Sequence, residues 1–189
     1  MKPTIQLLTF IALASGFSFA TLAQESSPPA PPPPFCENNP GFNDFDFWVG
    51  EWNVYSNDEN RIFAGTNSIT KHYNNCLIKE QWEGANGGGF SINFYNPVRG
   101  QWRQVWVANG YSIDYAGGLN DEGAMVMKGE IDGYQTNTKT KFRGKWTAED
   151  NGDVIQRFET YDAANDAWNL WFEGRYVRKE TDPNPPASN

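Results

Sequence analysis

The chain has 189 residues, of which 15% are aromatic, and its formal net charge is -8. Phosphate binding relies on clustered Lys and Arg side chains, so this acidic composition argues against nucleic acid as a partner. The length suits one folded domain, and many large rings in an otherwise polar sequence are typical of strands that bury one face.

The first 23 residues have the features of a secretory signal peptide. Lys2 supplies a positive charge, an apolar stretch runs from Ile5 to Ala14, and Ala20 and Ala23 suit cleavage. This stretch is too short to span a membrane, which needs about 20 apolar residues. We therefore expect a periplasmic or secreted protein without a membrane span, in which a proline-rich disordered leader follows the signal peptide over residues 24–41.

Two cysteines, Cys36 and Cys76, are the only ones in the chain. In an exported protein the compartment is oxidising, which favours a single disulfide between them, although two free thiols are the alternative. No histidine or further cysteine lies at metal-ligand spacing from them, so the sequence predicts no metal site.

Turn residues interrupt the rest of the chain at short intervals, and the segments between them alternate polar and apolar side chains. Only residues 42–49 suit a turn or two of helix, which excludes alternating strand and helix layers. This pattern predicts an all-β domain over residues 42–180 and a disordered tail over 181–189. About ten strands are expected, near residues 46–56, 62–73, 76–84, 89–96, 101–108, 111–118, 124–132, 138–147, 153–161 and 167–178. A sandwich and a barrel both suit them, and closure into an up-and-down barrel removes the open edges.

Several strings of residues carry a resemblance to a known family. The G-x-W of Gly50 to Trp52, within FDFWVGEWNV, resembles the first-strand signature of lipocalins and other calycins. Together with CLIKEQWEG, GFSINFYN, QWRQVWV and WFEGRYVR, it resembles exported bacterial proteins of a family of unknown function, over residues 44–178. The resemblance implies a lipocalin-like barrel and an exported location, and it implies no substrate or catalytic residue.

The alternation predicts which side chains face the lumen of such a barrel, because the lumen should collect rings and few charges. The expected inward residues are Ile78, Glu80, Trp82, Phe90, Ile92, Phe94, Trp102, Gln104, Trp106, Tyr111, Ile113, Tyr115, Met125, Met127, Phe142, Trp146, Val154, Gln156, Phe158, Trp168, Leu170, Phe172 and Tyr176.

These faces predict a binding site for a small apolar or amphipathic molecule. Aromatic walls with a few convergent polar groups are typical of ligand sites. The expected walls are Trp82, Trp102, Trp106, Phe158 and Tyr176. The expected orienting groups are Glu80, Gln104 and Gln156.

Other functions suit the same residues. An inward carboxylate is costly unless it is paired or protonated, so Glu80 is also a candidate acid or base of a barrel isomerase, cyclase or hydrolase. A structural hydrogen bond from Glu80 to a neighbouring Gln or Tyr is the alternative. Trp side chains that stack on sugars from the outer surface would indicate a carbohydrate-binding module, and a filled lumen would indicate a structural module.

His72 is the only histidine, and its strand has no clear inward face. Ten-stranded haem barrels of the nitrobindin kind share the expected architecture, but their proximal histidine lies near the end of the barrel sequence. This chain has no histidine near residues 160–178. The sequence therefore predicts no cofactor. The G-x-S-x-G motif that carries the nucleophile of many Ser-His-Asp hydrolases is also absent from the sequence.

Overall fold

A computed structural model describes residues 35–85 and 87–186, most of which form antiparallel strands. The signal peptide predicted for residues 1–23 lies outside the described residues, as do residues 24–34 of the predicted leader and 187–189 of the predicted tail. The strands are β1 (Gly50–Ser56), β2 (Phe63–His72), β3 (Leu77–Gly84), β4 (Gly87–Asn96), β5 (Gln101–Ala108), β6 (Tyr111–Leu119), β7 (Met125–Gly133), β8 (Thr138–Ala148), β9 (Val154–Asp162) and β10 (Ala167–Arg178). Short 3₁₀ helices lie at Pro40–Asn43, Asp46–Trp48 and Lys179–Thr181.

The strands form one closed barrel. Each strand pairs antiparallel with its neighbours in the sequence, and β1 also pairs with β10. Across this closing pair Trp52 lies opposite Arg178 and Val54 lies opposite Tyr176. A closed sheet leaves no edge strand on which another chain could add. The structure thus confirms the prediction of an all-β, antiparallel, up-and-down barrel of about ten strands.

The connections between strands fall into two sets, one at each end of the barrel. The β2–β3, β4–β5, β6–β7 and β8–β9 connections lie at the end that we call the closed end, and the other five lie at the end that we call the mouth. Residues 40–48 precede β1 and cross the closed end. Because Asp46–Trp48 is a 3₁₀ helix, β1 begins at Gly50 rather than at the predicted residue 46.

Aromatic rings pack this closed end. Phe45 stacks on Trp48 with ring centroids 4.7 Å apart, and it meets Trp102 edge-on at 5.7 Å. The indole N–H of Trp102 donates to the Gly41 carbonyl at 3.1 Å, and that of Trp52 donates to the Trp48 carbonyl at 2.9 Å. Each such ring pair adds about 0.5–1.5 kcal/mol to the burial of its apolar surface. The crossing segment is therefore part of the barrel core.

Arg178 joins the last strand to the first. Its guanidinium lies over the Trp52 ring, 4.4 Å from the centroid, and donates to the Val49 carbonyl at 3.3 Å. Gly50 lies beneath it with φ of 151°, and a β-carbon there would come within 2.5 Å of Arg178 Nη1. Only glycine leaves room for this contact.

Both ends of the described chain are attached to the barrel. A disulfide joins Cys36 to Cys76, which lies in the β2–β3 connection at the closed end. After β10, the Asp182 carboxylate accepts hydrogen bonds from Asn53 Nδ2 at 2.8 Å and from the Tyr55 hydroxyl at 2.6 Å. The disulfide predicted between Cys36 and Cys76 is thus confirmed, and the residues after β10 are held by hydrogen bonds to β1.

Candidate functional site

A cavity of about 210 Å³ lies inside the barrel on the side of the mouth. Its lining contains seven of the eight residues predicted to bind a ligand, namely Glu80, Trp82, Gln104, Trp106, Gln156, Phe158 and Tyr176. Tyr111, Ile113, Tyr115, Trp171 and Phe172 complete the lining. The eighth predicted residue, Trp102, packs in the closed end instead.

The lumen side chains follow one order from the closed end to the mouth. On β3 the order is Ile78, Glu80 and Trp82, and on β5 it is Trp102, Gln104 and Trp106. Because side chains of a strand alternate between the two faces, each triplet faces the lumen. The barrel therefore holds a polar layer between two apolar ones.

Glu80 is at the centre of the polar layer and only 3% exposed. Its Oε1 accepts a hydrogen bond from Asn67 Nδ2 at 2.8 Å. Its Oε2 accepts from the Ser91 hydroxyl at 2.6 Å and from Gln104 Nε2 at 3.2 Å. All three partners donate, which is the arrangement that a carboxylate requires.

Further hydrogen bonds extend this layer across the lumen. The Tyr115 hydroxyl donates to Gln104 Oε1, and the Tyr176 hydroxyl donates to Gln156 Oε1 at 2.6 Å. Asn67 Nδ2 also donates to the Tyr176 hydroxyl, at 3.3 Å. We call the connected side chains the polar network. Its members are Asn67, Glu80, Ser91, Asn93, Gln104, Tyr115, Gln156 and Tyr176.

No Lys, Arg or His of the described chain forms an ion pair with Glu80. Burial raises the pKa of its carboxyl from 4.5 to about 7, and the hydrogen bonds from Ser91 and Asn67 oppose the rise. Burial and, next, the Glu80 charge raise the pKa of both Tyr115 and Tyr176 well above the usual value. Near neutral pH, Glu80 is therefore the group of this network that exchanges a proton.

Aromatic rings surround the cavity above the polar network. Trp171 lies 5.6 Å from Tyr111 and 6.1 Å from Phe158, measured between ring centroids, and it is 44% exposed. Gly89 on β4 lies beside the ring of Trp106 on the neighbouring strand β5, and a β-carbon there would overlap that ring, so glycine is needed at this position. These rings form an apolar passage that ends at a carboxylate.

The prediction for the faces of β4 is wrong. Phe90, Ile92 and Phe94 were expected in the lumen, but Ser91 and Asn93 occupy it. The cause is strand register, since Glu80 lies opposite Ser91 and Ile78 opposite Asn93, and directly paired residues share a face. Phe90 is consequently exposed, and the hydroxyl that binds Glu80 comes from a position that hydrophobicity alone assigns to the outside.

The prediction for the start of β10 is also wrong. The pairing with β9 shifts between Leu170 and Phe172, so the intervening Trp171 is a bulge. Leu170 is therefore 55% exposed, and Trp168 packs on the outside against Tyr161 at 5.3 Å. Phe172 and Tyr176 line the cavity as expected, and the bulge adds Trp171, which alternation had placed outside.

His72 lies outside the cavity. It is exposed at the closed end of β2, where its ring nitrogen contacts the Thr70 hydroxyl at 2.9 Å. In the described residues no group of three or more His, Cys, Asp or Glu side chains could hold a metal ion. Within that same part of the chain, no helix is long and apolar enough to cross a membrane. No protein-family model matches the chain, and no curated protein matches it.

Proposed function

We propose that the barrel binds a small amphipathic molecule, which enters at the mouth and places its polar group against Glu80. The observation that supports this most is the aromatic passage that opens at Trp171 and ends at the polar network. A pocket with apolar walls and a few converging polar groups is the usual form of a small-molecule site.

The cavity limits the size of this ligand. Its volume of about 210 Å³ lies below the range of roughly 300–1,000 Å³ that drug-sized ligands occupy. A single ring with a short polar arm suits it, and a long fatty acid does not. This narrows the expected ligand to molecules of the size of a substituted benzene.

We also propose that the protein acts outside the cytoplasm, as a lipocalin-like member of the exported family that its strand motifs resemble. The signal-peptide features of residues 1–23 support export, and the Cys36–Cys76 disulfide is of the kind that persists in oxidising compartments. Binding and carriage of a small molecule is a common role for a protein with such a barrel.

A barrel enzyme is the second candidate, and the Glu80 carboxyl favours it. A pKa of about 7 suits a general acid or base near neutral pH. Incubation of any bound ligand with the protein, followed by mass spectrometry and NMR of that ligand, separates the two functions. A carrier returns the ligand unchanged, whereas an isomerase, cyclase or hydrolase converts it.

A carbohydrate-binding surface is less well supported. Such a surface needs several exposed Trp side chains on one face, but Trp48, Trp52, Trp102 and Trp146 are fully buried. Trp82 and Trp106 face the cavity, and only Trp171 among the cavity residues is largely exposed. A filled structural barrel is disfavoured by the cavity itself.

The test is a titration of Trp emission with phenethylamine, 2-phenylethanol, 3-phenylpropionate and hexanol. We expect saturable quenching by at least one of them. Ile113→Phe should weaken it roughly tenfold or more, because the larger ring fills the cavity and overpacking costs about 1–3 kcal/mol. Val107→Phe is the matched control, since Val107 lies on the outer face of β5. No saturable response from any probe would overturn the proposal.

A further inference from the structure

We propose that the cavity selects a protonated amine, that is, a small organic cation with one aromatic or short aliphatic group. This rests on the proposed binding function and names the chemical class of its ligand. Three features of the described residues carry it: an uncompensated carboxylate, the ring faces around it, and the lack of any cationic group in the lining.

The first feature is the unused capacity of the Glu80 carboxylate. Two carboxylate oxygens offer about four acceptor positions, and the described neighbours fill three of them. Oε2 accepts from both Ser91 and Gln104, whereas Oε1 accepts from Asn67 alone. Glu80 itself lines the cavity, so a donor on the ligand can occupy the remaining position on Oε1.

The second feature is the charge balance of this site. The neighbours of Glu80 in the polar network are neutral amides and hydroxyls, and none of the described residues that line the cavity is a Lys, Arg or His. A buried carboxylate without a positive partner is costly, and a ligand that brings the positive charge relieves that cost. An anionic ligand would instead add a second negative charge beside Glu80.

The third feature is the chemistry of the walls. Trp and Tyr ring faces attract a cation, by about 0.5–1 kcal/mol at exposed sites and about 2 kcal/mol or more where water is excluded. Trp82 and Trp106 lie one lumen position above Glu80 and Gln104, and Tyr111 and Trp171 lie nearer the mouth. An ammonium group passes these faces before it reaches the carboxylate. The net charge of -8 also raises the local concentration of cations.

Affinity for an amine should depend on pH through Glu80. The ionisable groups that face Glu80 are Tyr111 and Tyr115 from β6 and Tyr176 from β10, and burial raises the pKa of each of them above 10. Glu80, with a pKa of about 7, therefore changes charge alone among them between pH 6 and pH 8. An alkylamine stays protonated over this range, so its affinity should rise about tenfold with the ionised fraction of Glu80.

The experiment compares three ligands that share a phenyl ring and differ in charge: phenethylamine, 2-phenylethanol and 3-phenylpropionate. Calorimetric titration of the full chain at pH 8 should show that the amine binds at least about tenfold more tightly than the alcohol. The carboxylate should bind most weakly. From pH 8 to pH 6 the affinity for the amine should fall about tenfold, while that for the alcohol should change less than about twofold.

Glu80→Gln should remove the preference for the amine, leaving the amine and the alcohol within about twofold of each other. Glu83→Gln is the matched control, because Glu83 lies on the same strand with its side chain exposed, and it should keep the preference. If Glu80→Gln does not fold, the pH profile and ligand order of the unaltered protein still decide the question.

Equal binding of the amine and the alcohol at pH 8, or tighter binding of the carboxylate, would overturn the amine specificity and leave the binding function in place. A preference for the amine that survives in Glu80→Gln would overturn it as well, because the selectivity would then come from elsewhere. Absence of binding by all three ligands and by hexanol would instead overturn the binding function.

Discussion

The two ends of the barrel use aromatic side chains in opposite ways. At the closed end, Phe45, Trp48 and Trp52 are fully buried and contribute to the core. At the mouth, Trp171 keeps 44% of its surface exposed, and the rings beside it surround a cavity. The same residue types therefore stabilise the fold at one end and form a candidate binding site at the other.

The difference comes from the backbone that is available to cover each end. Residues 40–48 cross the closed end and insert their rings between the strands. At the mouth, the β5–β6 connection contains only two residues, at 109–110. A turn of two residues reverses the chain without extending over the lumen. In this barrel, the closed end is the one that residues 40–48 cross.

The largest expected effect of a single substitution lies at the closed end. Trp48→Ala should lower the free energy of unfolding by about 3–5 kcal/mol, because it leaves a cavity among buried rings. Trp171→Ala at the mouth should lower it less, by about 1–3 kcal/mol, since that ring keeps 44% of its surface exposed and its contacts with Tyr111 and Phe158 contribute about 0.5–1.5 kcal/mol each.

Urea denaturation of both variants measures these changes in stability, and titration with phenethylamine compares the ligand affinity of the two variants. Trp171→Ala should weaken binding severalfold, whereas Trp48→Ala should leave the affinity nearly unchanged under conditions where it is folded. Equal losses of stability in the two variants would contradict the division of roles between the ends.

Removal of the disulfide at the closed end should also lower stability without affecting binding, by a somewhat smaller amount than Trp48→Ala. Replacement of Cys36 and Cys76 by Ser should lower the free energy of unfolding by about 3–4 kcal/mol, since the bond closes a loop with a sequence separation of 40 residues in the unfolded chain. Affinity for phenethylamine at the mouth should stay within about twofold. The unaltered protein denatured with and without reductant is the control, and a change of binding without a change of stability would refute this assignment.

The polar layer between the ends should make stability depend on pH. The folded-state pKa of Glu80, about 7, lies above the ordinary value of 4.5, so the folded protein binds more protons between these two pH values. The stability contributed by this group is therefore greatest below pH 4.5 and declines as the pH rises to about 7. The decline is about 3 kcal/mol.

Denaturation at pH 5 and pH 8 measures this decline. Glu80→Gln should lose that part of the pH dependence, and Glu83→Gln on the outer face should keep it. The difference between each variant and the unaltered protein cancels the contributions of all other ionisable groups. The same pH dependence in Glu80→Gln as in the unaltered protein would show that Glu80 does not carry a buried charge.

Alternating side chains and turn residues predict this fold because the barrel repeats one simple unit, a strand followed by a short turn. Alternation on β3 and β5 correctly placed Glu80, Trp82, Gln104 and Trp106 toward the lumen, and the turn residues gave the number of strands. Once the strands are known, the strand order of this barrel follows directly, since each strand pairs with its neighbours in the sequence.

The polar network could be predicted only in part, because its partners depend on register between strands. On β4, hydrophobicity alone assigns Phe90 to the lumen. Pairing with β3 instead places Ser91 in the lumen, where its hydroxyl donates to Glu80. Asn67 lies on β2, whose alternation favours neither face, so the pattern does not predict its hydrogen bond to Glu80. A bulge brought Trp171 to the mouth, and a strict period of two cannot represent a bulge.

The pairing of β1 with β10 also constrains the order of folding. Arg178 bonds to the Val49 carbonyl across a sequence separation of 129 residues, so the barrel closes through contacts between the first and last strands. Contacts of such long range form late, because the entropy of the intervening loop must be lost first. Until β10 arrives, β1 and β9 are unprotected sheet edges. We therefore expect a chain that lacks its last strand to aggregate rather than to form a smaller barrel.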